Sequence, residues 1–162
     1  MDTYRRFVSP APLSTDWGLT VLRVVVGFTF FMHGWQKLFE FGIAGVTGAF
    51  TQMGVPLPGV TAPLVSVLEL AGGALLLLGL ATRPAAFLLA IDMLVAILLV
   101  HLPAGFFVPN GVELVLLLLA GAVALVLAGP GTFALDHLVA PGRFGMVAPR
   151  EPVRASAGRP RD

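Results

Sequence analysis

The chain has 162 residues, of which 57% are hydrophobic and only 12% are charged, about half the charged fraction of an ordinary soluble domain. Eleven of its nineteen charged residues lie in residues 1–16 or 137–162, so the segment between them has the composition of a membrane protein. The net charge of +1 gives no reason to expect nucleic-acid binding, and the lack of cysteine excludes disulfides, thiolate metal sites, iron–sulfur ligation and thiol redox chemistry within the chain.

Four apolar stretches are long enough to cross a hydrocarbon layer about 30 Å thick, which takes about 20 residues of helix. They are residues 17–38, 60–80, 84–102 and 111–128. Because the link Thr82-Arg83-Pro84 is so short, the second and third helices are predicted to pack as an antiparallel hairpin. The predicted fold class is all-α, a transmembrane four-helix bundle.

The segment between the first two predicted helices is longer than a turn. Within residues 39–59, Val46, Phe50 and Met53 recur at helical spacing, which predicts a short interfacial helix lying flat at the outer surface. The predicted domains are a cytoplasmic N-terminal segment 1–16, a transmembrane domain 17–139 and a disordered cytoplasmic tail 140–162, whose arginines are attracted to anionic lipid.

The positions of Lys and Arg predict the orientation of the chain, because short cytoplasmic loops carry these residues in excess. Arginines precede the first helix, follow the fourth and, at Arg83, lie between the second and third, whereas loops 39–59 and 103–110 contain neither Lys nor Arg. Both termini are therefore expected on the cytoplasmic side of the inner membrane, in a multi-pass arrangement.

Several ionisable residues fall inside the predicted helices. A charge at mid-bilayer costs about 2.5–3.5 kcal/mol on insertion scales, so such residues are expected to face the bundle interior and to pair. They are Arg23, His33 and Lys37 in the first helix, Glu69 in the second, Asp92 and His101 in the third, and Glu113 in the fourth. Helical geometry puts those of the first helix on one face.

Depth along the helices divides these residues into two groups. At about 1.5 Å of rise per residue, Arg23 and Asp92 come to similar depths near the inner end, with Glu69 above them. Asp92 could therefore pair with Arg23, and the alternative is a helix–helix hydrogen bond. The outer group consists of His33, Lys37, His101 and Glu113. A column from Arg23 through Glu69 to His33 and Lys37 is consistent with a ligand or proton site, and the alternative is a structural ion-pair network that fixes helix register.

The third and fourth helices add two constraints. His101 follows Asp92 by nine residues, or 180° around an ideal helix, so both face one cavity only where that helix is irregular. Glu113 lies in the first turn of the fourth helix, where a carboxylate suits the positive helix end. His33, His101 and Glu113 lack the spacing of a metal site, and neither a metal nor haem is predicted.

Several motifs occur in a characteristic order along the chain. They are Arg23, HGWQKL at 33–38, GVP at 54–56, ELAGGALLLLGLATR at 69–83, His101, GPG at 129–131 and LD at 135–136. Taken together over residues 17–139, they resemble the DoxX family of small four-helix membrane proteins. Asp92 and the arginine-rich tail do not belong to that pattern.

The resemblance implies a small membrane subunit associated with a quinone-linked oxidoreductase. On this hypothesis His33 and Lys37 hydrogen-bond a quinone carbonyl in an apolar pocket between the first two helices, and Glu69 exchanges a proton. Phe30 and Trp35 stack on the ring. A soluble or membrane partner protein supplies or takes the electrons.

The remaining candidate residues are assigned either to the ligand-binding set or to a structural network. Arg23 and His101 join the ligand-binding set, whereas Asp92, Glu113 and Asp136 are assigned to a structural network, with Asp136 anchoring the segment after the fourth helix. If the protein is enzymatic, it is expected to be an accessory subunit, and assembly into a homo-oligomer stays open.

Two other functions also stay open. In a non-catalytic assembly or partner-binding protein, the ionic side chains are expected to be tightly paired with no cavity beside them. Quinone binding instead requires an elongated apolar cavity ending at His33, Lys37 and Glu69. A small-molecule or proton-coupled carrier is disfavoured, because the sequence has only four predicted spans and no broken-helix pair.

Overall fold

In the computed structural model of the chain, residues 12–139 are described, with side chains from residue 15 onward. The predicted tail 140–162 and most of the predicted N-terminal segment lie outside the described residues. Between residues 12 and 139 the regular structure is entirely helical, which confirms the all-α prediction.

The helices can be given in chain order. They are α1 (Pro12–Trp35), α2 (Gly42–Gln52), α3 (Pro58–Leu78), α4 (Thr82–Ala96), α5 (Glu113–Ala128) and the short α6 (Asp136–Val139). A π-helical turn, Gln36–Glu40, extends α1, and a second π-helical turn, Ile97–His101, followed by the 3₁₀ turn Leu102–Ala104, extends α4. The two extensions lengthen both helices without breaking them.

Three of these helices are long and apolar enough to cross a membrane. The spans are Thr15–Glu40, Pro58–Leu78 and Thr82–Ala104, and the apolar helix Glu113–Ala128 is shorter. Together the four form the predicted bundle, in which α1 packs mainly against α3 and α4 mainly against α5. The predicted short helix between the first two spans is α2, which packs against α3 through a buried Val46.

The turn between α3 and α4 comes earlier than the sequence predicts. It occupies residues 79–81, where Gly79 and Ala81 adopt left-handed backbone conformations, and α4 already begins at Thr82. Pro84 is tolerated inside α4 because the first turn of a helix does not need its backbone N–H as a donor. The predicted antiparallel hairpin is retained, with its turn shifted toward α3.

The bundle has two distinct ends. The hairpin end holds the α3–α4 turn and the return segment, residues 129–139, which folds back from the end of α5. Two backbone hydrogen bonds fasten this segment, from Leu135 N–H to the Leu78 carbonyl and from Asp136 N–H to the Gly79 carbonyl. The loop end holds α2, the two π turns and residues 102–112.

Helices α1 and α3 approach each other closely where both carry glycine. A Cβ built on Gly34 would overlap the backbone of Leu70, and one on Gly73 would overlap the backbone of Phe31. Small residues of this kind let two helices in a membrane pack backbone against backbone. The contact fixes the height of α1 relative to α3, and therefore which side chains of the two helices meet.

Replacing either of these glycines tests the close contact. Gly34→Ala and Gly73→Ala should each lower the free energy of unfolding by about 1–3 kcal/mol, because a methyl group cannot fit without moving a helix. Gly18→Ala is the matched control, since a Cβ there meets nothing within 4 Å and alanine favours helix. Thermal unfolding in detergent measures the difference, and equal stabilities of all three variants would contradict the packing.

Candidate functional site

A cavity of about 790 Å³ lies at the loop end of the bundle. Helices α1 to α5 all contribute to its wall, so it extends across the bundle instead of lying only between the first two spans as predicted. Its apolar wall includes Phe30, Val65, Met93, Leu99, Leu114 and Leu118. The volume falls within the range of about 300–1,000 Å³ that small-molecule pockets occupy.

The central polar feature of this cavity is an ion pair between Lys37 and Glu69. Lys37 belongs to the π turn after α1, and Glu69 lies in the middle of α3 with its side chain only 5% exposed. From the sequence, a salt bridge between Glu69 and Arg23 is the structural alternative. In the structure Glu69 forms its salt bridge with Lys37 instead. Since the carboxylate is buried within a membrane span, losing its cation would be costly.

His33 lies one helical turn before Lys37 on the same wall. It is close enough to Lys37 and Glu69 to interact with both electrostatically. His33 also borders a shallower groove of about 300 Å³ on the other side of α1, together with Gln36 and Glu40. This imidazole therefore separates the cavity from the outer surface of α1.

Asp92 projects into the cavity from α4 and is 9% exposed. It lies about 15 Å along α4 from Thr82, and Glu69 lies about 14 Å along α3 from Leu78, so the two carboxylates are at the same level of the bundle. Asp92 interacts electrostatically with Glu69 and Lys37. Of the two partners left open for Asp92, Arg23 is not in contact with it, because Arg23 lies lower, at the hairpin end.

His101 also faces the cavity, on the same helix as Asp92. The sequence predicts that Asp92 and His101 face one cavity only if the helix that carries them is irregular. The π turn Ile97–His101 is such an irregularity. A π turn accommodates about one extra residue and so rotates the residues after it by about 100° relative to an ideal α-helix. The ring Nδ1 lies 2.8 Å from the carbonyl oxygen of Asn110, which holds the loop against this wall.

Arg23 occupies the opposite end of the bundle from the cavity. It is 2% exposed, donates from Nη2 to the carbonyl oxygen of Phe133 and interacts electrostatically with Asp136. Fourteen residues of helix, about 21 Å, separate it from Lys37. The predicted column from Arg23 to Lys37 is therefore not formed, because the return segment brings acceptors of its own to the hairpin end.

Asp136 and Glu113 both accept hydrogen bonds from the backbone. Asp136 accepts from the N–H groups of Ala81 and Thr82 at 2.6 and 2.9 Å, so it caps the start of α4 as well as anchoring the return segment. Glu113 accepts from the N–H of Val108 at 2.9 Å, in the first turn of α5. Both carboxylates hold loops in place outside the cavity.

The two predicted stacking residues are separated by the structure. Phe30 is fully buried and borders the cavity, whereas Trp35 is 43% exposed and does not line it. Trp35 contacts Phe39 and Phe31 instead, with ring centroids 4.3 and 6.2 Å apart. A shift of five residues turns Trp35 away because the cavity faces only one side of α1.

The sequence hypothesis missed part of the cavity wall. Phe50 and Met53, at and just beyond the end of α2, lie over it, and Asn110 lines it from the following loop. The helical spacing of Val46, Phe50 and Met53 indicated an apolar face but not what that face covers. Among the described side chains of residues 15–139, no three His, Asp or Glu residues converge as a metal site would require.

Residues 18–102 match the DoxX family model. A Bacillus subtilis protein named "Putative oxidoreductase CatD" is 38% identical over 130 residues, which cover 80% of this chain and 92% of the relative. The chain belongs to the DoxX family. The matched region includes the five ionisable residues of the cavity wall. They are His33, Lys37, Glu69, Asp92 and His101.

Two further relatives of this DoxX protein are bacterial membrane proteins. The uncharacterized membrane protein Rv3486 of Mycobacterium tuberculosis is 37% identical over 127 residues, covering 72% of this chain and 77% of the relative. The Escherichia coli inner membrane protein YqjF is 33% identical over 130 residues, covering 76% and 93%. No solved structure matches the chain significantly.

A double-mutant cycle tests the ion pair in the cavity. Lys37→Met and Glu69→Leu should each lower the free energy of unfolding by about 3 kcal/mol, because each leaves an unpaired charge in a membrane span. The double variant should lose less than the sum of the two. Glu40→Gln, at an exposed carboxylate, serves as the control and should change stability by less than about 0.5 kcal/mol. Strictly additive losses in the double variant would show that the two side chains are not coupled.

Proposed function

We propose that this DoxX protein is a quinone-interacting membrane subunit of an oxidoreductase system. The observation that carries the proposal is the cavity of about 790 Å³, whose wall is mainly apolar and whose polar groups cluster around Lys37 and Glu69. An apolar wall suits a substituted ring, and a small polar cluster fixes its orientation. A position inside the membrane spans gives direct access to a lipid-soluble ligand.

The polar groups suit the oxygens of a quinone. The Lys37 ammonium has three N–H donors, and Glu69 takes one of them, so donors are left for a carbonyl oxygen. His33, one turn away, supplies a second group on the same wall, and the fully buried Phe30 is part of the apolar wall. Glu69 exchanges the proton that a ring oxygen gains on reduction and loses on oxidation.

Electrons are supplied or taken by a partner protein in this proposal. The chain has no cysteine, so it provides neither a redox-active thiol nor thiolate ligands for an iron–sulfur cluster. The printed name of the Bacillus subtilis relative describes an oxidoreductase and supports a redox setting. The chain then acts as an accessory subunit that binds the quinone near the partner's electron carrier.

A non-catalytic assembly role is the second candidate, and the pairing of Lys37 with Glu69 favours it. A purely structural pair, however, needs no empty space around it, and protein interiors are ordinarily packed with few voids larger than a water molecule. The large cavity beside the pair therefore favours ligand binding over assembly.

Quinone titration of the purified protein tests the proposal. Lys37→Met and Glu69→Gln should each weaken the binding of a short-chain ubiquinone or menaquinone analogue by about tenfold, because each removes a charged group at the ring. Calorimetry measures the dissociation constants. Trp35→Phe and Glu40→Gln should bind as the unmodified protein does, since neither residue lines the cavity. Unchanged affinity in both Lys37→Met and Glu69→Gln would remove the proposed site.

We further propose that the hairpin end faces the cytoplasm and the loop end faces outward. The lack of native cysteine allows a single introduced thiol to be labelled cleanly. A membrane-impermeant maleimide should label Gly48→Cys, on an exposed surface of α2, in intact cells, and should label Leu138→Cys in the return segment only after lysis. The reverse pattern would invert the orientation.

A further inference from the structure

The cavity extends between α3 and α4 at the loop end of the bundle. Thr61 and Val65 line it from α3, Val95 lines it from α4, and Leu99 lines it from the π turn that extends α4. Val65 and Val95 each lie about 20 Å along their helix from the hairpin turn, so they are at the same level of the bundle. A gap at this level therefore separates two helices that are neighbours in the chain.

The same two helices are closely packed nearer the hairpin turn. A Cβ built on Gly72 of α3 would lie 3.0 Å from a methyl group of Leu89 in α4, and Leu89 is fully buried. Val65 precedes Gly72 by about two turns and points to nearly the same side of α3. The side of α3 that is packed against α4 at Gly72 thus borders open space at Val65, so the hairpin opens toward the loop end.

Exposure rises from the floor of the cavity toward this gap. Phe30, Met93 and Leu118 on the floor are at most 7% exposed, whereas Val95 and Leu99 are 46% and 43% exposed. Both α3 and α4 belong to membrane spans, so an opening between them faces lipid and not water. The gap is a lateral mouth of the cavity.

The loop end of the cavity is lined by other parts of the chain. Phe50 and Met53 lie over it from the end of α2, and Asn110 borders it from the loop before α5. The ring Nδ1 of His101 lies 2.8 Å from the carbonyl oxygen of Asn110 and holds this loop in place. A ligand that leaves toward the outer surface has to pass these residues, whereas the lateral mouth opens directly to lipid.

The mouth is apolar, and the polar groups of the proposed site lie deeper. Val65 and its two partners on the α4 side are aliphatic, and the hydroxyl of Thr61 donates to the carbonyl oxygen of Leu57 at 3.1 Å. Glu69, which is paired with Lys37, lies one turn of α3 beyond Val65 toward the hairpin end. This order suits a ligand with a polar ring inside and an apolar chain at the mouth.

We propose that the gap between α3 and α4 is the lateral entrance of the cavity and that the ligand is a quinone with a long apolar chain. The ring lies beside Lys37 and Glu69, and the chain passes between Val65 and Val95 into the lipid. The inference rests on the proposed function and adds the substrate class to it, a membrane-resident quinone instead of a free small ring.

Two ligands with the same ring test whether the chain is recognised. One is the ubiquinone ring with hydrogen in place of the chain, and the other is decylubiquinone. Calorimetry on the full-length protein in detergent should show decylubiquinone binding at least about tenfold more tightly. A gain of this size corresponds to the burial of about two methylene groups.

A bulky side chain in the gap tests where the chain lies. Val95→Trp fills the gap, so the preference for decylubiquinone should fall to about twofold or less, while the affinity for the chainless ring stays within about twofold of the unmodified protein's. Leu94→Trp is the matched control and should keep the preference, because Leu94 is 47% exposed on the same helix but does not line the cavity. Partition into detergent is common to all three proteins and does not affect this comparison.

Photolabelling locates the chain without any substitution. A decylubiquinone with a diazirine in the middle of its chain should label the stretches of α3 and α4 around Val65 and Val95, and an excess of decylubiquinone should suppress the labelling. Mass spectrometry of the digested protein identifies the labelled peptides. Labelling at Phe50, at Met53 or in residues 102–112 instead would show that the chain leaves through the loop end.

The outcomes separate the entrance from the proposed function. Equal affinities for the two ligands, a preference that survives in Val95→Trp, or labelling at the loop end would overturn the lateral entrance and leave the quinone site standing. Failure of the unmodified protein to bind either ligand would overturn the proposed function itself. If Val95→Trp misfolds, it loses affinity for the chainless ring as well, and the labelling of the unmodified protein then decides.

Discussion

A charged side chain inside a bilayer is costly unless it finds a partner within the bundle, and this requirement explains where Lys37, Glu69 and Arg23 lie. Lys37 and Glu69 meet because the glycine contact between α1 and α3 fixes the relative heights of the two helices. Arg23 meets Phe133 and Asp136 because the return segment folds under the same end of the bundle. The result is two separate polar clusters with apolar core between them, instead of one continuous column.

The cavity depends on departures from regular helix geometry. An ideal α4 would turn His101 away from Asp92, and the π turn Ile97–His101 brings both to one wall. The π turn after α1 likewise contains Lys37, the cation of the cavity. Single-turn π segments in long helices are frequent at functional sites, where they redirect a few side chains without breaking the helix. Here both lie at the loop end, beside the same cavity.

The arrangement of donors and acceptors around the cavity bears on function more than the ion pair alone does. A pair of opposite charges in a packed interior is compatible with a purely structural role. An apolar space of about 790 Å³ beside that pair, with His33, Asp92 and His101 also on its wall, is the observation that supports the proposed ligand site. The DoxX match covers the residues of this cavity up to position 102, including Lys37, Glu69 and Asp92.

The sequence alone was sufficient for the fold class, for the spans to within a few residues and for the approach of His33, Lys37 and Glu69, because hydropathy and helical periodicity act locally along the chain. The same reasoning could not place Trp35 outside the cavity or Asp92 inside it. Which way a side chain faces depends on how its helix is rotated against its neighbours. It also left a contact of Arg23 with Asp92 open, because depth counted from an assumed helix start says nothing about a segment that returns from 110 residues further along the chain. What the tertiary structure alone decided was therefore which charges meet and where space is left between the helices, as both result from long-range packing that no local pattern records.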